Sequence, residues 1–482
     1  MFWFSVVICA CLYHSALSEY TFANNFGDDL PFQFKSSAQQ DDLLVIIGDA
    51  SYLHGPGSPG SFFLLSTNTS TGNLLANSML DSGLVVDMKA GSILDNYYYS
   101  SGSFVIMATG VQVSGLFQFD LSDFRSQWSK GWIANDAYSQ LSTGMVITSG
   151  SIYTIGNVNT TELGNQYSYV AQSDSDGDLN KVVKLAIGEA VYSTTLSLYS
   201  GDMFLIGMKE PAVNESVPGN AFVVKLDEDL SYGFGKSLSP ASSPGYVVNF
   251  PVVSVTEVSG GDIVAIGYSE LTNATNSSAP PTTKNIGVFK FDENGNKIFG
   301  VQIINTNGRP WDVRGCDAAG GIAVCVGLAH YTTYENPYVL LIDLSTGSVQ
   351  TAFEINDRTL VLTGVRVLDA AQMVVQLSGE DAVGVAGAKN IYVAQVEFGV
   401  NSMTGACSSL ITSSFQSSQF QGIVASVGDM TSAVTDYTDS SQTMQGTEYA
   451  IDQFFTCNLV DLNPPAPPND DDEVSPSGGG TN

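Results

Sequence analysis

Short apolar runs that end in glycine recur along the chain: LLVIIGD (43–49), FVIMATG (104–110), IYTIGN (152–157), MFLIGM (203–208), DIVAIGY (262–268), IAVCVGL (322–328) and MVVQLSG (373–379). The glycines are Gly48, Gly110, Gly156, Gly207, Gly267, Gly327 and Gly379, spaced 62, 46, 51, 60, 60 and 52 residues apart. Each run is short, apolar or alternating, and bounded by turn residues, which predicts a strand. A variable stretch follows, then a second run such as AFVVKLDE (221–228) or YVLLIDLS (338–345). A turn of Asp, Gly, Asn and Ser leads into a returning strand such as NKIFGVQI (296–303), and a further strand such as VVSVTEV (252–258) precedes each glycine run. No helical period competes with this rhythm of four strands per unit.

A four-stranded sheet cannot cover its own faces, so such units must stack. Radial stacking is a β-propeller, whereas an array of β-sandwich domains would not keep one four-strand rhythm. The last unit supplies three strands, QGIVASV (421–427), MTSAVTDY (430–437) and EYAIDQFFTC (448–457). The segment TFANNF (21–26) or PFQFKSS (31–37) is available as its fourth. The expectation is an all-β propeller of eight four-stranded blades, with seven as the alternative, closed by pairing of the N- and C-terminal strands.

The pattern GGDIVAIGYSE…NIGVFKFDENGNKIFG (260–300) resembles the secreted β-propeller repeats of the SBBP and delta-60 kind, in which a GG-apolar-G strand leads to a K-apolar-D-x-x-G-N turn. The resemblance loosely covers residues 35–460. It implies a propeller fold and no single activity.

Composition narrows the partners. The chain has 482 residues, 48 acids against 17 bases and a formal charge of -31, a field that repels nucleic acid and anionic lipid. Residues 1–18 carry an apolar run and small residues at Ala16-Leu17-Ser18, the pattern of a secretory signal. No later segment reaches the length of a membrane span, so no membrane insertion is expected. The organisation expected is a signal (1–18), a propeller (19–462) and a Pro-rich acidic tail (463–482), in a secreted, extracellular glycoprotein.

Four cysteines follow the signal, an even number that suggests two disulfides. A two-residue turn at Gly320-Gly321 places Cys316 opposite Cys325 on a non-hydrogen-bonded pair, at a separation a disulfide spans. Cys407–Cys457 follows by elimination. Sequons stand at Asn68, Asn159, Asn214, Asn273 and Asn276, the last four expected in second-to-third-strand loops.

Chemistry-bearing residues are few. The mature chain has two histidines, His54 and His330, with no nucleophile elbow or zinc motif beside them, so both are expected on the surface. Four of the five arginines lie between 309 and 366. DVRGCDAAGG (312–321) and GVRVLDAAQM (364–373) align Arg314 with Arg366 on adjacent inner strands. Two guanidinium groups at one channel rim suit a carboxylate or sulfate, with Trp311 as a sugar-stacking surface; pairing with inner-strand carboxylates is the structural alternative. In SDSDGDLN, Asp174, Asp176, Asp178 and Asn180 alternate as calcium ligands would, although a tight turn wants the same residues. The leading expectation is a non-enzymatic propeller scaffold for adhesion, matrix or filament assembly. Its partners would be other extracellular proteins or copies of itself, and calcium is the only cofactor to consider. The alternatives are a binder of acidic glycans or a secreted polysaccharide hydrolase or lyase.

Overall fold

The computed structural model describes residues 18–458 apart from several intervening segments, the longest being 50–60, 210–219, 274–282 and 399–409. The proposed signal and tail, and His54, Asn214, Asn276 and Cys407, lie outside the described residues. Among the described residues the chain is all-β, and no helix is long and apolar enough to cross a membrane.

The strands fall into antiparallel groups built on four strands, consecutive in chain order except in unit 7, and in unit 5 Tyr246–Asn249 pairs in addition with Asp262–Asn273. Unit 1 is Gln33–Gln40, Leu43–Asp49, Ser61–Asn68 and Leu74–Asp81; unit 2 is Val85–Leu94, Tyr97–Ile106, Val111–Asp120 and Ser126–Ala134. Unit 3 is Ala137–Ile147, Ile152–Thr160, Gln166–Ser173 and Leu179–Ala186; unit 4 is Val191–Tyr199, Asp202–Lys209, Asn220–Leu226 and Tyr232–Ser239. Unit 5 is Val252–Val258, Asp262–Asn273, Thr283–Phe291 and Lys297–Asn305; unit 6 is Gly315–Ala319, Ile322–His330, Glu335–Asp343 and Ser348–Ile355. Unit 7 takes Leu360–Asp369, Val374–Ala382 and Lys389–Phe398 from one end of the chain and Ser18–Gly27 from the other. First strands of successive units touch in chain order, and Leu360–Asp369 also touches Gln33–Gln40. Repeated four-stranded sheets meeting through their first strands are the organisation of a β-propeller.

The segment expected to build an eighth unit does something else. Its strands are dealt out singly, as a fifth strand on the outer edge of each unit and in reverse order. Leu410–Thr412 pairs with unit 6, Phe415–Gln419 with unit 5, Ile423–Ser426 with unit 4 and Thr431–Val434 with unit 3. Tyr437–Gln442 then pairs with unit 2, Gly446–Thr447 with unit 1 and Asp452–Asn458 with Ser18–Gly27 in unit 7. The strand carrying TFANNF therefore lies between Lys389–Phe398 and the C-terminal strand, whereas the one carrying QFKSS opens unit 1.

Two repeated devices explain the sequence rhythm. The first is the glycine of the second strand. In unit 3, a bulge in the first strand between Ser142 and Gly144 aims the Leu141 carbonyl at Gly156, where a Cβ would stand 1.8 Å from that oxygen. Gly327 and Gly379 meet the carbonyls of Asp312 and Val361 in the same way, each at 2.0 Å. In unit 2 the matching residue is Gly102, where a Cβ would stand 2.0 Å from the Asp87 carbonyl oxygen; Gly110, expected from FVIMATG, instead sits at a turn with φ +68°. An aromatic ring on the third strand covers the glycine directly: Phe63 over Gly48, Tyr169 over Gly156, Tyr338 over Gly327 and Tyr392 over Gly379.

The second device is the turn from third to fourth strand. Asp174, Asp227 and Asp292 each accept backbone N–H groups from the turn that follows. One turn residue adopts positive φ and presses on the preceding unit. Gly177 lies on the ring of Trp128, Gly295 on Phe234 and Gly347 on Phe299. At this position Phe124 and Leu230 accept the left-handed cost in exchange for burying a large side chain.

The core is laid down between units. One cluster joins Val264 and Val288 of unit 5 to Ala323 and Leu340 of unit 6, and another joins Val339 and Leu341 to Val375 and Leu377 of unit 7. Ile391 and Val393 of unit 7 pack with Leu44, Ile46, Phe63 and Leu65 of unit 1. Each such fully buried side chain stabilises the fold by about 1.5–3 kcal/mol.

The hairpin at Gly320-Gly321 has the expected register. Ala319 faces Ile322 and Cys316 faces Cys325, both glycines have positive φ, and a disulfide joins the cysteines.

Candidate functional site

The densest group of ionisable and aromatic side chains among the residues described around unit 6 lies where its second strand leaves and its third begins. The first strand starts irregularly. Trp311 bridges to Ala329, the Asp312 amide donates to the Leu328 carbonyl at 3.1 Å and the Arg314 amide to the Val326 carbonyl at 2.8 Å. The same strand segment holds the Asp312 carboxylate under the sheet edge, 6% exposed, where Oδ1 accepts the Leu328 N–H at 2.8 Å. Oδ2 faces the Arg314 guanidinium through Nε at 3.6 Å and the His330 imidazole through Nε2 at 3.3 Å.

His330 closes the second strand and is the cross-strand partner of Glu335, which opens the third. Its Nδ1 lies 2.7 Å from Glu335 Oε1. The imidazole is thus held between a buried carboxylate and an exposed one. Its pKa is raised above the ordinary 6.5, chiefly by Asp312 and further by Glu335, with partial burial opposing. Burial pushes Asp312 up, but His330, Arg314 and the Leu328 N–H more than offset it and hold the carboxyl below its ordinary 3.8. Asp312 is therefore an anion that orients the imidazole.

Around this pair lies an aromatic wall. Tyr331 and Tyr334 stack with ring centres 4.2 Å apart and 15° between planes, and the Arg358 guanidinium lies 3.9 Å from the centre of the Tyr334 ring. The Tyr331 hydroxyl donates to the buried Glu354 carboxylate, which also accepts from Asn336 Nδ2 at 3.2 Å. Beneath, the Tyr338 hydroxyl donates to the Asp312 carbonyl at 2.6 Å and its ring packs on Trp311 at 3.9 Å.

Trp311 is 2% exposed and forms part of the core between units 5 and 6, so it offers no face to a sugar. Arg314 is exposed, but it does not stand level with Arg366. Asp317 pairs with Val324 across a two-residue turn, whereas Asp369 pairs with Val374 across a four-residue turn. Aligning the two DAA triplets therefore shifts the arginines, and Arg366 stands level with Asp317. Its Nη1 lies 3.9 Å from Asp317 Oδ1 and its Nη2 donates to the Ser37 carbonyl at 3.2 Å. Three residues of strand separate Arg314 from that level, about 10 Å. Each arginine has a carboxylate beside it, which is the structural alternative the sequence offered.

At SDSDGDLN, Asp174 is occupied by the amides of Asp176 and Asp178, and Asp178 pairs with Lys130. The same turn recurs at Asp292, with Asn294 and Asn296 in place of the further acids, so turn geometry accounts for the motif. No cluster of three or more metal-ligating side chains occurs among the described residues. Asn159 and Asn273 lie at the ends of second strands, near the loops expected for them, and the Asn159 amide donates to the Ser139 hydroxyl. Asn68 lies on the other side, in a third-to-fourth-strand turn, where its side-chain oxygen accepts from Ser70 and Thr71. Asp312, Tyr331, Glu335 and Glu354 were not singled out by the sequence. The available signal was the five-residue step from His330 to Glu335, which a tight second-to-third-strand hairpin makes a cross-strand pair.

No protein-family model matches the chain, and no curated protein matches it. Several solved structures are similar. The β-propeller domain of the Trilobed protease from Pyrococcus furiosus is 9% identical, with a TM-score of 0.42 over 78% of this chain and 94% of that one. Polysaccharide lyase Uly1 is 8% identical, with a TM-score of 0.48 over 79% of this chain and 100% of that one. Phage phi92 endosialidase is 10% identical, with a TM-score of 0.41 over 80% of this chain and 70% of that one. Likeness at this level carries no argument about what the present chain binds or turns over.

Proposed function

We propose that this chain is a secreted, non-enzymatic propeller scaffold for extracellular adhesion, matrix or filament assembly, with seven blades closed into one ring. The observation that carries the reading is the C-terminal segment 410–458, which lays one edge strand on every unit. Exposed sheet edges invite uncontrolled strand addition, and covering each of them suits a body that must persist outside a cell at high local concentration. Contact of Leu360–Asp369 with Gln33–Gln40, and the shared core of units 7 and 1, support closure. So does Glu380, whose Oε1 accepts the Phe34 N–H of unit 1 while Oε2 pairs with Lys389 at 2.6 Å. The signal, the sequons and the Cys407–Cys457 disulfide belong to this reading. The acidic tail after Leu462 would be an arm toward other extracellular proteins or copies of the chain, with calcium as the bridging ion.

Size-exclusion light scattering tests it on the secreted glycoprotein, with and without residues after Leu462, in calcium and in chelator. Assembly that needs the tail or calcium is the expected result. A strict monomer under every condition contradicts it. A second reading, a binder of acidic glycans, is favoured by one observation: the exposed Arg314 and His330 meet on the Asp312 carboxylate, and His330 leads directly into the stacked Tyr331 and Tyr334.

A further inference from the structure

We propose that His330 and Arg314 form a recognition site for the carboxylate of an acidic ligand, held in the free protein by the chain's own Glu335. The proposal deepens the acidic-glycan reading and rests on it. Asp312 Oδ2 lies 3.3 Å from Nε2 on the buried side, a charge pairing without hydrogen-bond geometry, and Nδ1 is directed at Glu335, 2.7 Å away. The Glu335 side chain is 51% exposed, so its carboxylate remains largely solvated and an external one can replace it at little cost. Arg314 meets Asp312 through Nε, and the fork of its two terminal nitrogens is the edge that takes a carboxylate in two parallel hydrogen bonds. The stacked Tyr331 and Tyr334 are the apolar surface nearest in sequence to this pair, of the kind that covers a sugar ring.

The charges around His330 set the pH dependence. Asp312 and Arg314 face it from the lead-in to the first strand and Glu335 from the third; Tyr331 follows it in the chain and donates a hydrogen bond to Glu354 of the fourth strand. Tyr338, below, has a pKa pushed well up by burial and stays neutral. With Asp312 held below its ordinary value and His330 raised above 6.5, His330 is the group here whose charge responds to pH in the range tested. Protonated, it donates from Nδ1 to a carboxylate. Neutral, it carries no positive charge and attracts one far less. A sugar or peptide carboxylate stays ionised throughout this range.

The test is calorimetric titration of the full secreted chain with trigalacturonate, with a neutral galactose trisaccharide and with a tripeptide bearing a free C-terminal carboxylate. Trigalacturonate is expected to bind at about pH 5.5 and roughly tenfold more weakly at about pH 8. The neutral trisaccharide is expected not to bind. Glu335→Gln removes the internal competitor and should tighten binding roughly fivefold, whereas His330→Gln and Arg314→Gln should each weaken it roughly tenfold. Tripeptide binding with the same variant pattern supports the carboxylate site and assigns peptide as its source. Trigalacturonate binding that none of the three variants alters overturns this site while leaving the glycan reading standing. Failure of both carboxylate probes to bind wild type and Glu335→Gln overturns the site. The Cys316–Cys325 disulfide, retained in every variant and checked by intact mass, reports that the hairpin has folded.

Discussion

Gly156→Ala probes the packing rule that generates the glycine rhythm. The added Cβ would stand 1.8 Å from the Leu141 carbonyl oxygen and 2.7 Å from Tyr169 Cε1. A comfortable carbon–oxygen contact is about 3.3 Å, so roughly 1.5 Å of movement is required. Neither obstacle is the free end of a flexible side chain. The carbonyl belongs to the bulge between Ser142 and Gly144, and the Tyr169 hydroxyl is bonded to Ser114 of unit 2 at 2.6 Å. Flattening the bulge sacrifices backbone hydrogen bonds at about 1–3 kcal/mol each, and repacking the ring costs a further 1–3 kcal/mol or so, giving a loss of about 4 kcal/mol. Gly150→Ala is the matched control: nothing lies within 4 Å of its added Cβ, and it should gain about 0.5 kcal/mol through the unfolded chain. Urea unfolding followed by tryptophan fluorescence compares the two midpoints. If Gly156→Ala unfolds together with Gly150→Ala, the bulge does not impose the glycine and the account of the repeat is wrong.

The remaining predictions concern covalent, electrostatic and edge terms. Replacing Cys316 and Cys325 together by Ala opens a loop of sequence separation 9 and should cost about 2–3 kcal/mol in the same assay, whereas an unchanged midpoint would mean the hairpin needs no staple. The raised pKa of His330 contributes stability that is complete below the ordinary value of 6.5 and lost as pH rises through the folded one. The lowered pKa of Asp312 contributes stability present above 3.8 and lost as pH falls through its folded value. The difference in unfolding midpoint between wild type and His330→Gln should therefore peak at about pH 5 and shrink at higher pH; a flat difference would contradict the ion pair. Truncation after Phe398 should speed amide exchange in the fourth strands Leu179–Ala186 and Tyr232–Ser239 while sparing the second strands, and unaltered exchange there would contradict the edge pairing.

How much of this is legible in the chain depends on what each residue answers to. Gly156, Gly327 and Gly379 are legible because a backbone carbonyl of the first strand or its lead-in leaves no room for a Cβ, Gly48 because the Phe63 ring lies against it, and the Cys316–Cys325 register follows from Gly320-Gly321 alone. Gly102 was hidden because Gly110 closes an equally apolar run that straddles a second strand and a turn. The edge strands from Leu410 to Asn458 carry little pattern of their own, because backbone groups make their pairing and several are only two to five residues long. They therefore read as one degenerate unit. The arginine alignment failed because turn length, invisible in a matched DAA triplet, sets the register. Trp311 was assigned to a surface by its neighbours in sequence, whereas its neighbour in space, Tyr338, buries it.

The central claim is that the C-terminal segment lays edge strands on successive units in reverse order, and disulfide mapping tests it most directly. Paired cysteine substitutions follow the observed registers: Ser237→Cys with Ala425→Cys on unit 4, and Ser129→Cys with Gln442→Cys on unit 2. Each matched pair should oxidise to an intramolecular disulfide, seen as a cross-linked peptide by mass spectrometry. The exchanged combination, Ser129→Cys with Ala425→Cys, should stay reduced. Cross-linking of the exchanged pair, or none in either matched pair, would contradict the reverse order and with it the proposed arrangement of the units.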